Sequence, residues 1–307
     1  MHKHPFRTCA ALALGAFALD VHAVVVGGQI LADTVWDNTL EAYTFSAPVQ
    51  VAPGVTLTIA DGVHVSGGEI DVYGTLDVNG TASSRVRFDG TRIVPGTNTL
   101  TRDNPFLIDV AYADFRSGSL YAPTGNAVYG TLRLSDSRLE DLPYLYLWYP
   151  TSSVLIERNQ FMNTGGISVG SIYDVYVGNN RFENMTDGFA IRNWAGYFNW
   201  PMVARYNSFL DTGEPTLELP SGYSSGAMRA TENWWGTTDE AVIQAMIFDR
   251  SDSFASASYI DYSGFLTGRH PNTPSAVPLP ASVWLLGSGL LALTRFRRAV
   301  SPRSRLA

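Results

Sequence analysis

Between residues 108 and 235 the apolar residues of this chain recur in a fixed frame. Ala113, Ser137, Asn159, Asn180, Asn207 and Asn233 serve as anchors, separated by 24, 22, 21, 27 and 26 positions. Five places before each anchor stand Ile108, Leu132, Val154, Val175, Met202 and Met228; three places before stand Val110, Leu134, Ile156, Val177, Ala204 and Ala230. Two places after stand Phe115, Leu139, Phe161, Phe182, Phe209 and Trp235. The apolar period inside each unit is two, which puts alternate side chains on one face of a strand. A strand-sized repeat cannot bury that face alone, so consecutive copies must stack, and the pattern predicts an all-β parallel solenoid. The anchor column ends in four asparagines, Asn159, Asn180, Asn207 and Asn233. At a bend their amides can bond from turn to turn as a structural ladder and tolerate left-handed backbone.

Upstream the alternation persists in shorter strands, Val55–Ile59, Val63–Val65, Ile70–Val72, Leu76–Val78 and Val86–Phe88, punctuated by Asp61-Gly62, Gly67-Gly68, Gly74 and Asn79-Gly80. The coil is expected over 51–266. Residues 24–50, with Trp36, Tyr43 and Phe45, are expected to cap its N-terminal end, since an uncovered edge invites aggregation. Thr237 to Glu240 offers a capping box before a short helix over 241–248, Tyr259 to Tyr262 reads as a last strand, and the Pro-, Thr- and Ser-rich 267–276 as a linker.

Units such as Leu155-Ile-Glu-Arg-Asn-Gln-Phe161 and Val177-Gly-Asn-Asn-Arg-Phe182 resemble those of right-handed parallel β-helices of the pectate-lyase-like superfold, over about residues 30–266. The resemblance implies that an enzyme on this scaffold would be a polysaccharide lyase or glycoside hydrolase. Acids on neighbouring coils of an outer face would then bind calcium or transfer protons.

Both ends carry targeting patterns. Lys3 and Arg7, the apolar run Thr8 to Leu19, and the short residues Val21 and Ala23 read as a signal peptide over 1–23, cleaved after Ala23. At the other end Val277-Pro278-Leu279-Pro280 leads into an uncharged run to Thr294, followed by Arg295, Arg297, Arg298, Arg303 and Arg305. Eighteen residues at about 1.5 Å each span a bilayer core, and the arginines hold the C-terminus in the cytoplasm. Residues 277–307 resemble the PEP-CTERM sorting segment of Gram-negative exported proteins, with Leu279 where the name-giving motif has Glu. That resemblance implies an exosortase partner, transient passage through the inner membrane as a single transmembrane helix, and a cell-surface or exopolysaccharide-matrix destination. An uncleaved membrane anchor is the alternative.

Without these segments the chain holds 14 basic and 27 acidic residues and no lysine; of its histidines only His64 and His270 remain. Such a body repels phosphate backbones, which argues against nucleic acid, and it lacks the groups for Schiff-base chemistry or a multi-histidine metal site. Cys9, the one cysteine, falls in the signal peptide. No cofactor is expected, although the acidity leaves room for weak calcium association.

The outward column four before the anchor reads Asp109, Arg133, Leu155, Tyr176, Val203, Arg229, and the one two before reads Ala111, Ser135, Glu157, Gly178, Arg205, Thr231. Neither sets two carboxylates on neighbouring coils, and Asp109 and Glu157 are each in reach of Arg133, so that face reads as solvated rather than catalytic. Asp174, Asp187, Asp211, Glu214 and Glu218 fall near turns, where a cluster could hold calcium or serve a glycosidase. His64 reads as a surface residue. The stretches around Tyr146, Trp148 and Tyr149 and around Trp194, Tyr197 and Trp200 are aromatic insertions between strand units. Flat rings on a rigid scaffold suit sugar stacking, and these six are the candidate carbohydrate-binding residues. The sequence therefore points to a structural or carbohydrate-binding protein, with the lyase or hydrolase as the alternative.

Overall fold

The computed structural model describes residues 23–96, 104–121, 130–171, 173–196 and 201–275. Val21, the sorting residues Val277, Pro278, Leu279, Pro280, Arg295, Arg297 and Arg298, and the aromatic residues Tyr197 and Trp200 lie outside the described residues. Among the described residues no helix is long and apolar enough to cross a membrane.

The chain winds as a parallel β-solenoid of about eight turns, laying down three walls. The first wall stacks nine strands from Thr34–Trp36 to Met228–Arg229. The second runs from the front half of Ala42–Val51 through His64–Ser66, Val86–Asp89, Ala113–Arg116, Arg138–Glu140, Gln160–Met162 and Arg181–Glu183 to Ser208–Leu210. The third begins with the back half of Ala42–Val51 and continues through Glu69–Val72, Arg92–Pro95 and Ser119–Leu120. The Tyr146 N–H donates to the Tyr121 carbonyl at 3.1 Å, and the wall goes on as Leu145–Trp148, Ile167–Gly170, Ile191–Ala195, Leu217–Glu218 and Ile247–Phe248.

The repeat frame is the register of the structure. Ile108 pairs with Leu132, Val154 with Val175, and Met202 with Met228, while Phe115, Leu139, Phe161, Phe182 and Phe209 stand in one row. All of these side chains are buried. Phe88 stacks on Phe115 at 4.7 Å and Phe161 on Phe182 at 4.8 Å, so each turn's apolar face is covered by the next.

The asparagine anchors are fully buried and linked in series. Asn180 Oδ1 accepts from the Asn159 backbone N–H (2.9 Å) and from Asn159 Nδ2 (3.0 Å), and Asn180 Nδ2 donates to the Ile156 carbonyl (2.9 Å) and to Asn207 Oδ1 (3.1 Å). Asn207 bonds Asn233 in the same manner, and Ser137 Oγ, accepting from the Ala113 N–H at 3.0 Å, continues the series upstream. The left-handed backbone falls one residue earlier than expected. Tyr112, Asp136, Arg158, Asn179, Tyr206 and Glu232 immediately precede the anchors, and all have φ between 51° and 61°. The anchor amide closes the corner; its predecessor takes the strain, whatever its side chain.

Four expectations change at the ends. Residues 24–50 are themselves a turn of the coil: Ala23–Ile30 and Thr34–Trp36 pair parallel with Ala42–Val51 and Thr56–Ala60. The strand Ala23–Ile30 has a partner on one side only among the described residues. The helix is Glu240–Ala245, capped by Asp239, whose carboxylate accepts from the Ala241 and Val242 N–H groups; Thr237 instead accepts from the Asp239 N–H, and Ile247–Phe248 joins the third wall. The segment 259–262 contributes one bridge, Asp261 to Arg229, rather than a strand. The supposed linker is held to the coil as far as Thr273: Thr273 Oγ1 donates to the Tyr206 carbonyl at 2.6 Å, and the His270 ring stacks on Tyr206 at 4.3 Å.

Candidate functional site

The outer face of the third wall carries the aromatic residues. In the strand Leu145–Trp148, Leu145 and Leu147 are fully buried, so alternation turns Tyr146 and Trp148 outward. The next strand offers small residues in register, Ser168 opposite Tyr146 and Gly170 opposite Trp148. The third strand contains a bulge: Val169 pairs with Asn193 and Gly170 with Ala195, leaving Trp194 as the extra residue. A bulge re-aims a side chain, and here it lays the indole over Gly170, where a Cβ would lie 2.5 Å from the six-membered ring.

Trp194 is thereby the hub of the cluster. Its ring centroid lies 4.9 Å from that of Trp148, 5.3 Å from Tyr149 at an 89° angle, 6.0 Å from Tyr146 and 5.9 Å from Tyr223. Tyr144 extends the row, edge-on to Tyr146 at 6.0 Å and to Phe189 at 5.9 Å. Trp194 is 5% exposed, whereas Tyr144, Tyr149 and Tyr223 are 38%, 40% and 48% exposed. The buried indole is the base of the cluster, and the tyrosines are its exposed surface. Burial, followed by the neighbouring phenols of Tyr223, Tyr144 and Tyr149, pushes the Tyr146 hydroxyl up to about 12, so it stays a neutral donor at physiological pH.

The charged groups beside the cluster are paired. Arg192 Nε lies 2.6 Å from Glu218 Oε2 on the adjacent turn, and the Arg192 guanidinium sits 4.0 Å over the Phe189 ring. Of the six sequence candidates, the structure brings together Tyr146, Trp148, Tyr149 and Trp194. Tyr144, Phe189 and Tyr223 were not singled out by sequence. Tyr144 opens the same aromatic run as Tyr146, but Phe189 and Tyr223 belong to other turns, and only the winding unites them.

The outer face of the first wall differs from its expectation. Asp77 lies directly across from Asp109 on the preceding turn, and Asp109 across from Arg133 on the next, so two carboxylates do occupy neighbouring coils. Arg133 reaches Asp109 at 3.5 Å, while Glu157 pairs with Arg158 at 2.6 Å rather than with Arg133. Asn79 Nδ2 donates to Asp77 at 2.7 Å. Burial raises the Asp109 pKa, the Arg133 charge opposes that, and the Asp77 charge adds to it.

The turn acids do not converge. Asp211 and Glu214 line one open pocket of ≈ 410 Å³ with Phe209, Trp235 and Met246 near the C-terminal end of the coil. Glu218 belongs to the Arg192 pair, and Asp187 packs near Gly165. Among the described residues no three His, Cys, Asp or Glu side chains gather as a metal site. His64 lies on the outer face of the second wall, 35% exposed, with Nε2 2.7 Å from Asp89.

No protein-family model matches the sequence, and neither a curated protein nor a solved structure is significantly similar to it.

Proposed function

We propose that this chain is an exported cell-surface or exopolysaccharide-matrix protein that binds polysaccharide through the aromatic third wall. One observation carries the reading: seven aromatic rings linked in one continuous chain of contacts, with three of its tyrosines at least 38% exposed. Aromatic residues gathered on a rigid scaffold and left open to solvent are what a sugar chain stacks on, and a core has no use for exposed tyrosines. In this reading the solenoid has the right-handed winding of the pectate-lyase-like superfold, the leader ends at Ala23, and 277–307 is a PEP-CTERM-like segment removed by an exosortase after passing through the inner membrane. The test incubates the protein with neutral and acidic polysaccharides, with and without calcium, and follows bound protein and polymer length together. Binding without shortening is the expected result; absence of binding to every polymer overturns the reading.

A second reading has its own observation. Asp77, Asp109 and Arg133 on three successive turns are the acid pair and arginine that a lyase or hydrolase would need on an outer face. Shortened polymer in the same incubation, abolished by Asp109→Asn, would select it.

A further inference from the structure

We infer that the ligand of the aromatic wall is an uncharged polysaccharide laid along the solenoid axis, an inference that rests on the carbohydrate reading above. The direction follows from where the rings come from. Tyr146 and Trp148 belong to one turn, Gly170 clears the next, Trp194 stands on the third, and Tyr223 follows the strand of the fourth. With strands about 4.8 Å apart, the row runs roughly 14 Å parallel to the axis, the length of a short oligosaccharide.

The charge of the ligand follows from how the wall's described cations are held. Aromatic faces carry the negative end of the ring quadrupole, which attracts polarised C–H groups and repels carboxylates. A uronic-acid or sulfated chain would need a cation to offset that repulsion and the net negative charge of the coil. Among the described residues the two arginines on this wall are both engaged: Arg192 by Glu218 at 2.6 Å and over the Phe189 ring at 4.0 Å, and Arg92 by Glu69 at 2.6 Å. Arg250, on the loop beyond, donates to the Ala257 carbonyl at 3.4 Å. A neutral hexose or pentose polymer needs no cation; its apolar ring faces stack and its hydroxyls meet the phenols of Tyr144, Tyr149 and Tyr223. Acidic polymers are thus the wrong class for this wall.

The test is affinity gel electrophoresis of the full-length chain through hydroxyethyl cellulose or galactomannan and, separately, through alginate or polygalacturonate, at low and high salt. Retardation by a neutral polymer that salt does not weaken, with none by the acidic ones, is expected. Trp148→Ala should weaken it at least about tenfold, and Tyr149→Ala replaces that variant if it fails to fold. Glu218→Gln releases Arg192 and should create salt-sensitive retardation by alginate; no gain would show that charge pairing does not exclude acidic chains and would overturn the inference. Retardation by acidic polymers alone overturns the inference but leaves carbohydrate binding standing. No retardation by any polymer overturns both.

Discussion

Asn180 and Asn193 are both buried asparagines of the same turn, one at the corner between the first and second walls and the other on the third wall. At the corner, the Asn180 side chain makes four hydrogen bonds, three to the preceding turn and one to the next. On the third wall, the Asn193 side chain makes one, from Nδ2 to the Ala227 carbonyl at 2.9 Å. The corner repeats one solution in four successive turns, whereas the third wall uses a bulge, small residues in register and a pair of tilted indoles, each once. Regularity supplies the rigidity and irregularity supplies the surface, and a single winding provides both because each turn visits each wall.

The difference can be broken from either side. Asn180→Leu keeps a branched side chain but orphans the Asn159 N–H and takes a donor from the Ile156 carbonyl in a buried corner, and should cost about 3–5 kcal/mol in denaturant unfolding. The same variant should leave polysaccharide affinity intact in whatever fraction stays folded. Gly170→Ala places a methyl against the Trp194 indole, costs about 1–3 kcal/mol through overpacking, and should abolish polysaccharide retention, because the hub leaves its seat. Asn193→Ala loses one bond and should cost about 1–2 kcal/mol; a loss as large as that of Asn180→Leu would erase the contrast between the two sites.

The smallest effect lies on the first wall, outside both regions. The folded-state pKa of Asp109 is raised, so the native state holds that proton more tightly than the unfolded chain does. Stability contributed by the protonated form is present at low pH and falls as pH rises from the ordinary aspartate value through the raised one. Asp77→Asn removes the like charge, and the melting midpoint of the variant should fall less than that of the parent across that window.

The corner was legible in the sequence because its register is short-range: anchor, inward positions and aromatic row all lie within eight residues, and turn length cannot disturb them. The third wall was not. Its strand begins eight residues after the anchor at Leu145 and Ile167, but eleven, ten and fourteen after it at Ile191, Leu217 and Ile247. The aromatic residues could be recognised as candidates, but no spacing told Trp194 from a regular strand position or brought Tyr223 beside it. Asp77 escaped for a related reason. The excursion 80–85 between strands Thr75–Asn79 and Val86–Asp89 lets Asp77 keep step with Asp109 on one wall and Val86 with Ala113 on the next, so no single anchor serves that turn. The left-handed residues had no compositional signal, since tyrosine, arginine and glutamate hold a place where glycine or asparagine is the usual choice.

The main-chain N–H groups at the corner all find their acceptor one turn ahead. Each Oδ1 serves the N–H of the turn before it, so a corner lacks an acceptor until its successor has been laid down. The row therefore has an order of assembly written into it, from the N-terminus onward, and an unfinished coil always ends in an exposed donor. In a chain that folds from its N-terminus, that open corner is a growing tip: it invites the next turn of the same molecule and is closed by it.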